Sequence, residues 1–130
     1  MTSYGITKNL GEVSFDAALE RVTEALKTEG FGVLTDIDVK QTLKKKLDVD
    51  FRNYRILGAC NPPLAHEALR KDLSFGLLLP CNVIIYEQDD GTSEVSIINP
   101  AEMFKLVDQP DLANLATQVD EKLHRVADQL

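Results

Sequence analysis

The chain has 130 residues, 44% of them hydrophobic and 27% charged, with a formal net charge of −7. That length fits one domain, residues 1–130, large enough to build its own core without a staple. The acidic balance argues against nucleic acid as a partner, because phosphate contacts need a basic face.

One local exception to that balance is Lys44-Lys45-Lys46. Three adjacent lysines point in three directions on a helix, so they read as a solvated face. The start, MTSYGITKNL, lacks a charged segment followed by an apolar one and is not read as a signal peptide. No run approaches the ~18 apolar residues of a membrane span. Two cysteines without an export signal suggest free thiols in a reducing, cytoplasmic setting.

Taken in order, Tyr4 to Asn9 reads as a first strand at a sheet edge. Ser14 caps a helix with Asp16 in its first turn, where the helix dipole favours an anion. Phe15, Ala18, Leu19, Val22, Ala25 and Leu26 form one buried stripe, and Gly30 lies where a left-handed C-cap wants glycine. Phe31 to Ile37 alternates as a strand, with Phe31, Val33, Thr35 and Ile37 on one face. Asp38 and Gln41 make a capping-box pattern for a short helix that turns Val39, Leu43 and Leu47 inward. Asp48 to Asn53 is a polar connection.

Tyr54, Ile56, Gly58 and Cys60 share one face of the next strand. Asn61-Pro62 then starts a helix, since asparagine can cap it and proline at the first position loses no hydrogen bond. Its apolar side carries Leu64, Ala65, Ala68 and Leu69. The segment Cys81 to Tyr86 is nearly all apolar, which predicts a central strand. Asp89-Asp90-Gly91 predicts a hairpin into a strand from Ser93 to Ile98. Asn99-Pro100 repeats the earlier helix start, with Glu102 in capping-box position. A last helix from about 110 to 130 carries Leu112, Leu115, Ala116, Val119, Leu123 and Val126 at helical spacing and closes over the sheet. The order predicts an α+β two-layer domain, a largely antiparallel sheet with helices packed on one face.

Four pieces of the chain resemble a known family: Gly30-Phe31-Gly32-Val33-Leu34-Thr35, Ile56-Leu57-Gly58-Ala59-Cys60-Asn61-Pro62, Leu64-Ala65 and Leu79-Pro80-Cys81-Asn82-Val83. Together with Asn99-Pro100-Ala101-Glu102-Met103, they are similar to the domain-of-unknown-function 302 family over residues 4–107. The C-terminal helix follows in its usual place. The resemblance implies a small α+β domain commonly found self-associated, and it implies no reaction. Pro63, a second proline, alters the helix entrance only slightly.

Cys60 and Cys81 are the sharpest candidates for chemistry. Each stands at a strand end beside an asparagine, and adjacent strands would bring the thiols within disulfide range, Cα atoms ~4.4–6.8 Å apart. Cys60 also precedes a helix N-terminus, a position that favours thiolate. The plainer reading makes both small buried hydrophobes. Structural zinc is not expected, because no Cys-x-x-Cys pair is present and a closed site wants four ligands. His66 could assist Cys60 but reads first as a solvated helix residue. No phosphate loop or nucleophile elbow appears, so no catalytic motif supports an enzyme.

The site, if one exists, is expected at the turns holding Cys60, Asn61, Pro62, Pro80, Cys81 and Asn82. The preferred function is a homodimeric binding or regulatory module with a possible small ligand and no metal. The alternative is a thiol-based redox or metal-handling protein using Cys60 and Cys81.

Overall fold

The computed structural model describes residues 2–107 and 109–130. Five strands run in the order β1-β5-β4-β3-β2, every neighbouring pair antiparallel. They are β1 (Gly5–Asn9), β2 (Gly32–Asp38), β3 (Tyr54–Cys60), β4 (Cys81–Glu87) and β5 (Ser93–Ile98). The apolar run at Cys81 thus becomes the central strand, and the first strand lies at an edge, as the sequence predicts. The β4–β5 hairpin closes through the Gln88 N–H donating to the Thr92 carbonyl at 2.8 Å. Gly91 takes the positive φ of 84° that the turn requires.

The described residues form five helices, of which α1 (Phe15–Thr28), α2 (Val39–Leu47) and α3 (Pro62–Lys71) connect strands, while α4 (Pro100–Phe104) and α5 (Ala113–Asp128) follow β5. Short 3₁₀ turns at Leu73–Leu78 and Pro110–Leu112 lead into β4 and α5. The Ser14 hydroxyl caps α1 by accepting from the Ala17 N–H at 3.2 Å. Gly30, at φ +81°, stops it. Its stripe of Ala18, Val22, Ala25 and Leu26 packs with Val119, Leu123 and Val126 of α5 on one face of the sheet. That face supplies Leu57, Ala59, Cys81, Val83, Ile85, Val95 and Ile97. Each fully buried Val, Leu or Ile of this layer contributes about 1.5–3 kcal/mol by leaving water. A second cluster of Ala68, Phe75, Met103, Leu112 and Leu115 ties α3 and α4 to the start of α5.

The opposite face of the sheet presents the alternate residues in two rows. Tyr54, Tyr86 and Glu94 align across β3, β4 and β5. Ile37, Ile56, Ile84, Ser96 and Thr7 align across all five strands. None of these side chains belongs to either buried cluster.

Three local expectations are corrected. Strict alternation fails in β2, because the register shifts between Val33 and Thr35. Val33 therefore packs on the core side while Ile37 lies opposite Ile56 on the other face. Leu47 does not turn inward; it is 65% exposed, and α2 has no buried residue. At α4, the Asn99 carboxamide accepts from the Ala101 N–H rather than from residue 102, a tighter cap than the capping box. No helix among the described residues is long and apolar enough to cross a membrane.

Candidate functional site

Strands β3 and β4 are neighbours, and Ala59 stands opposite Cys81. Cys60, expected on the face of Tyr54, Ile56 and Gly58, instead lines the core side together with Cys81 at the end of the strand. Both cysteines line one small cavity walled by Phe31, Phe75, Met103 and Phe104, with a volume of about 30 Å³. That is roughly the share of one water molecule, and an apolar lining keeps such a space dry. Pockets that hold drug-sized ligands run about 300–1,000 Å³. This cavity is a packing defect on that scale.

The electrostatics follow from burial. Burial first, then the neighbouring Cys60, pushes the Cys81 thiol up to about 11 from its ordinary 9.0. Cys81 is therefore held protonated at neutral pH. The α3 N-terminus offers Cys60 few donors, because Pro62 and Pro63 carry no N–H. The next two N–H groups already go to Asn61: Leu64 to its side chain at 3.4 Å and Ala65 to its carbonyl at 2.9 Å. Both thiols are free. His66 is exposed on α3 and lines no part of the cavity. Among the described residues, no three His, Cys, Asp or Glu side chains gather where they could hold a metal ion.

The remaining predicted residues divide between two sides. Asn61 is a clasp, its amide donating to the Glu29 carbonyl at 3.1 Å and so joining α3 to the end of α1. A Cβ on Gly30 would lie 2.9 Å from that amide and would have to displace the clasp, and the φ of +81° itself favours glycine. Pro62 is exposed at the first turn of α3. The Pro80 ring packs over Gly58 on the far face of the sheet. Pro80 and Asn82 line a groove there with Tyr4, Leu77, Ile98 and Leu106. Cys60, Asn61 and Cys81 thus share the core side, and Pro80 and Asn82 belong to the other.

Sequence reasoning missed a second grouping. All three tyrosines of the chain, Tyr4, Tyr54 and Tyr86, line a single depression of about 470 Å³ with Glu94, Thr7 and Ser96. The Tyr54 and Tyr86 rings stack with centroids 5.4 Å apart. The Tyr86 hydroxyl donates to Glu94 Oε2 at 2.5 Å, and the Gln88 amide donates to the same oxygen at 2.7 Å. That hydrogen bond, then partial burial, pushes the Tyr86 phenol up to about 12. The hairpin signal at Asp89-Asp90-Gly91 could have placed Tyr86 beside Glu94, but nothing local points to Tyr4 or Tyr54.

The family model described as "Domain of unknown function DUF302" matches residues 6–130. A solved structure titled "Crystal structure of uncharacterized conserved protein DUF302 from Bacillus stearothermophilus" superposes with a TM-score of 0.87 at 29% identity, covering 98% of each chain. None of the curated proteins matches the chain.

Proposed function

Because the chain belongs to the DUF302 family, whose description carries no activity, we propose from its surface that it is a homodimeric binding module. One observation carries this reading. Five large apolar side chains in a single stretch face solvent: Leu34, Ile37, Leu47, Val49 and Phe51, each at least 41% exposed. They follow one another through β2, α2 and the return to β3, and Ile37 continues into Ile56 and Ile84 on the uncovered sheet face. Exposed apolar side chains gathered in one segment suit an interaction site.

Charge selects a second copy as the occupant. The stretch from 36 to 50 holds Lys40, Lys44, Lys45 and Lys46 alongside Asp36, Asp38, Asp48 and Asp50, whereas the whole chain carries −7. A two-fold contact of this neutral, mixed-sign segment with itself pairs opposite charges around an apolar centre. Most other approaches between two copies set acidic surface against acidic surface.

Sedimentation equilibrium on wild type and on Ile37→Glu tests the reading. Wild type is expected at twice the monomer mass at micromolar concentration, and Ile37→Glu at the monomer mass with an unchanged circular dichroism spectrum. A monomeric wild type sinks the proposal. So does an Ile37→Glu, Phe51→Ser double variant that still dimerises.

A second reading, a thiol-based redox or metal-handling protein, draws on the two thiols sharing one cavity. Burial weighs against it by keeping Cys81 protonated. Alkylation of Cys60 and Cys81 before and after peroxide treatment decides it. A reversible bond between them favours that reading, and two slow, unpaired thiols remove it.

A further inference from the structure

We propose that the depression holding Tyr4, Tyr54, Tyr86 and Glu94 binds a small organic ammonium cation. This names a ligand class for the binding module and does not depend on self-association. The depression opens over β1, β5, β4 and the start of β3, and it adjoins the exposed apolar stretch at Ile84 and at Phe51, whose ring lies 6.1 Å from that of Tyr54.

About 470 Å³ lies within the range of roughly 300–1,000 Å³ in which small-molecule sites fall. Lining chemistry comes next. Aromatic faces carry negative quadrupole and attract ammonium groups within about 6 Å of the ring centre, which is how aromatic cages hold quaternary amines. A chain with three tyrosines and no tryptophan places all three rings around one hollow. Tyr54 stacks on Tyr86, nearly parallel at 12°, and has Phe51 6.1 Å away, which leaves the outer face of Tyr86 and the ring of Tyr4 to meet a ligand.

The charge balance decides the sign of the ligand. Glu94 is held in place by two donors, both on Oε2, which leaves the lone pairs of Oε1 for a guest. The cation that reaches Tyr86 is Arg52, and it is already occupied. Its guanidinium donates to Asp89 at 2.9 Å and to the Glu87 carbonyl at 3.1 Å. Among the described residues, no basic side chain pairs with Glu94. The Thr7 and Ser96 hydroxyls bond each other at 2.9 Å and make no claim on it. At longer range, the net charge of −7 draws cations toward the chain and repels anions.

The three rings also provide the readout, since with no tryptophan the intrinsic emission comes from tyrosines that all line the depression. The experiment titrates wild type with tetramethylammonium chloride at constant ionic strength. Sodium chloride controls for charge screening, and tert-butanol, uncharged and of similar shape, controls for apolar contact. The expected result is a saturable emission change with tetramethylammonium only. Glu94→Gln keeps an acceptor for the Tyr86 hydroxyl but loses the charge, and is expected to bind about tenfold more weakly. Tyr4→Ala, at a side chain 64% exposed and thus unimportant to folding, is expected to weaken binding about threefold.

Equal binding of tert-butanol, undiminished binding by Glu94→Gln, or no saturable response overturns the assignment. Repeating the titration in monomeric Ile37→Glu keeps the two proposals apart. A wild type that binds tetramethylammonium yet sediments as a monomer overturns self-association alone, and a wild-type dimer without saturable binding overturns the cation site alone.

Discussion

Replacing Cys81 with alanine should change how stability depends on pH far more than it changes stability itself at neutrality. The Cys81 side chain is 7% exposed, and its thiol titrates at about 11 rather than 9.0. In the unfolded chain it regains its ordinary value. Between those two values the native state holds a proton that the unfolded state has released, so rising pH favours unfolding. The stabilisation is complete below pH 9 and is lost progressively up to pH 11, with a slope of about 1.4 kcal/mol per unit. By pH 10.5 the accumulated loss is about 2 kcal/mol. Against this, Cys81→Ala removes one buried sulfur at a pH-independent cost of about 1 kcal/mol. Urea unfolding of both proteins under reducing conditions, from pH 7 to pH 10.5, measures the difference. Tyr86, whose phenol is also raised, and the lysines titrate in both proteins and cancel in that difference. Wild type should be the more stable at pH 7 and the less stable at pH 10.5. Parallel curves would show that Cys81 ionises as freely in the folded protein as in the unfolded one, and the burial argument would be wrong.

Other perturbations test the packing around the same strands. Gly58→Ala drives a Cβ into Thr35 Oγ1 and to 2.6 Å from Pro80 Cγ; overpacking of that kind should cost about 3 kcal/mol, lowering Tm by roughly 10 °C at this size. Adding Thr35→Ala should recover about 1 kcal/mol by removing one of the two collisions, as read by thermal melts of single and double variants. Asn61→Ala loses the cap on Leu64 and leaves the Glu29 carbonyl without its donor, a cost of about 1–2 kcal/mol by urea denaturation. Ser93→Ala removes the donor that a 1% exposed hydroxyl provides to the Val13 carbonyl at 2.8 Å, and should cost about 1–3 kcal/mol in the same assay.

What the sequence revealed, it revealed through short-range chemistry. The stripe from Phe15 to Leu26 and the helix starts at Ser14 and Asn61 are each set by residues within four positions of one another. The central place of β4 follows from Cys81 to Tyr86 being too apolar for an edge. What stayed hidden depends on partners distant along the chain. The register shift in β2 is a relation between Leu34 and the opposing Gly58–Ala59 pair, and no alternation pattern in β2 alone contains it. Leu47 sits at helical spacing with Leu43, yet no core lies beside it. The helix signal was present, but the surface it should have met was absent. Pro80 and Cys81 are neighbours in sequence and face opposite sides of the sheet, so the six candidate residues divide between two sides. Tyr4, Tyr54 and Tyr86 meet only because β1 crosses to pair with β5.

The register shift in β2 also limits how far assembly can go. An open sheet ends in two unpaired ladders, and any regular ladder can template another strand and then another. Here one end is β1, only five residues long. The other is β2, interrupted after Val33 and carrying Asp36 and Asp38, which Arg55 holds at 2.8 Å and 3.5 Å. A strand added beside β2 would lose its pairing halfway along and set its backbone beside two carboxylates. The bulge and carboxylates of β2 and the shortness of β1 both disfavour strand-by-strand growth. The two-fold contact proposed above would use up the surface that made it and close at two copies instead of extending into a fibre.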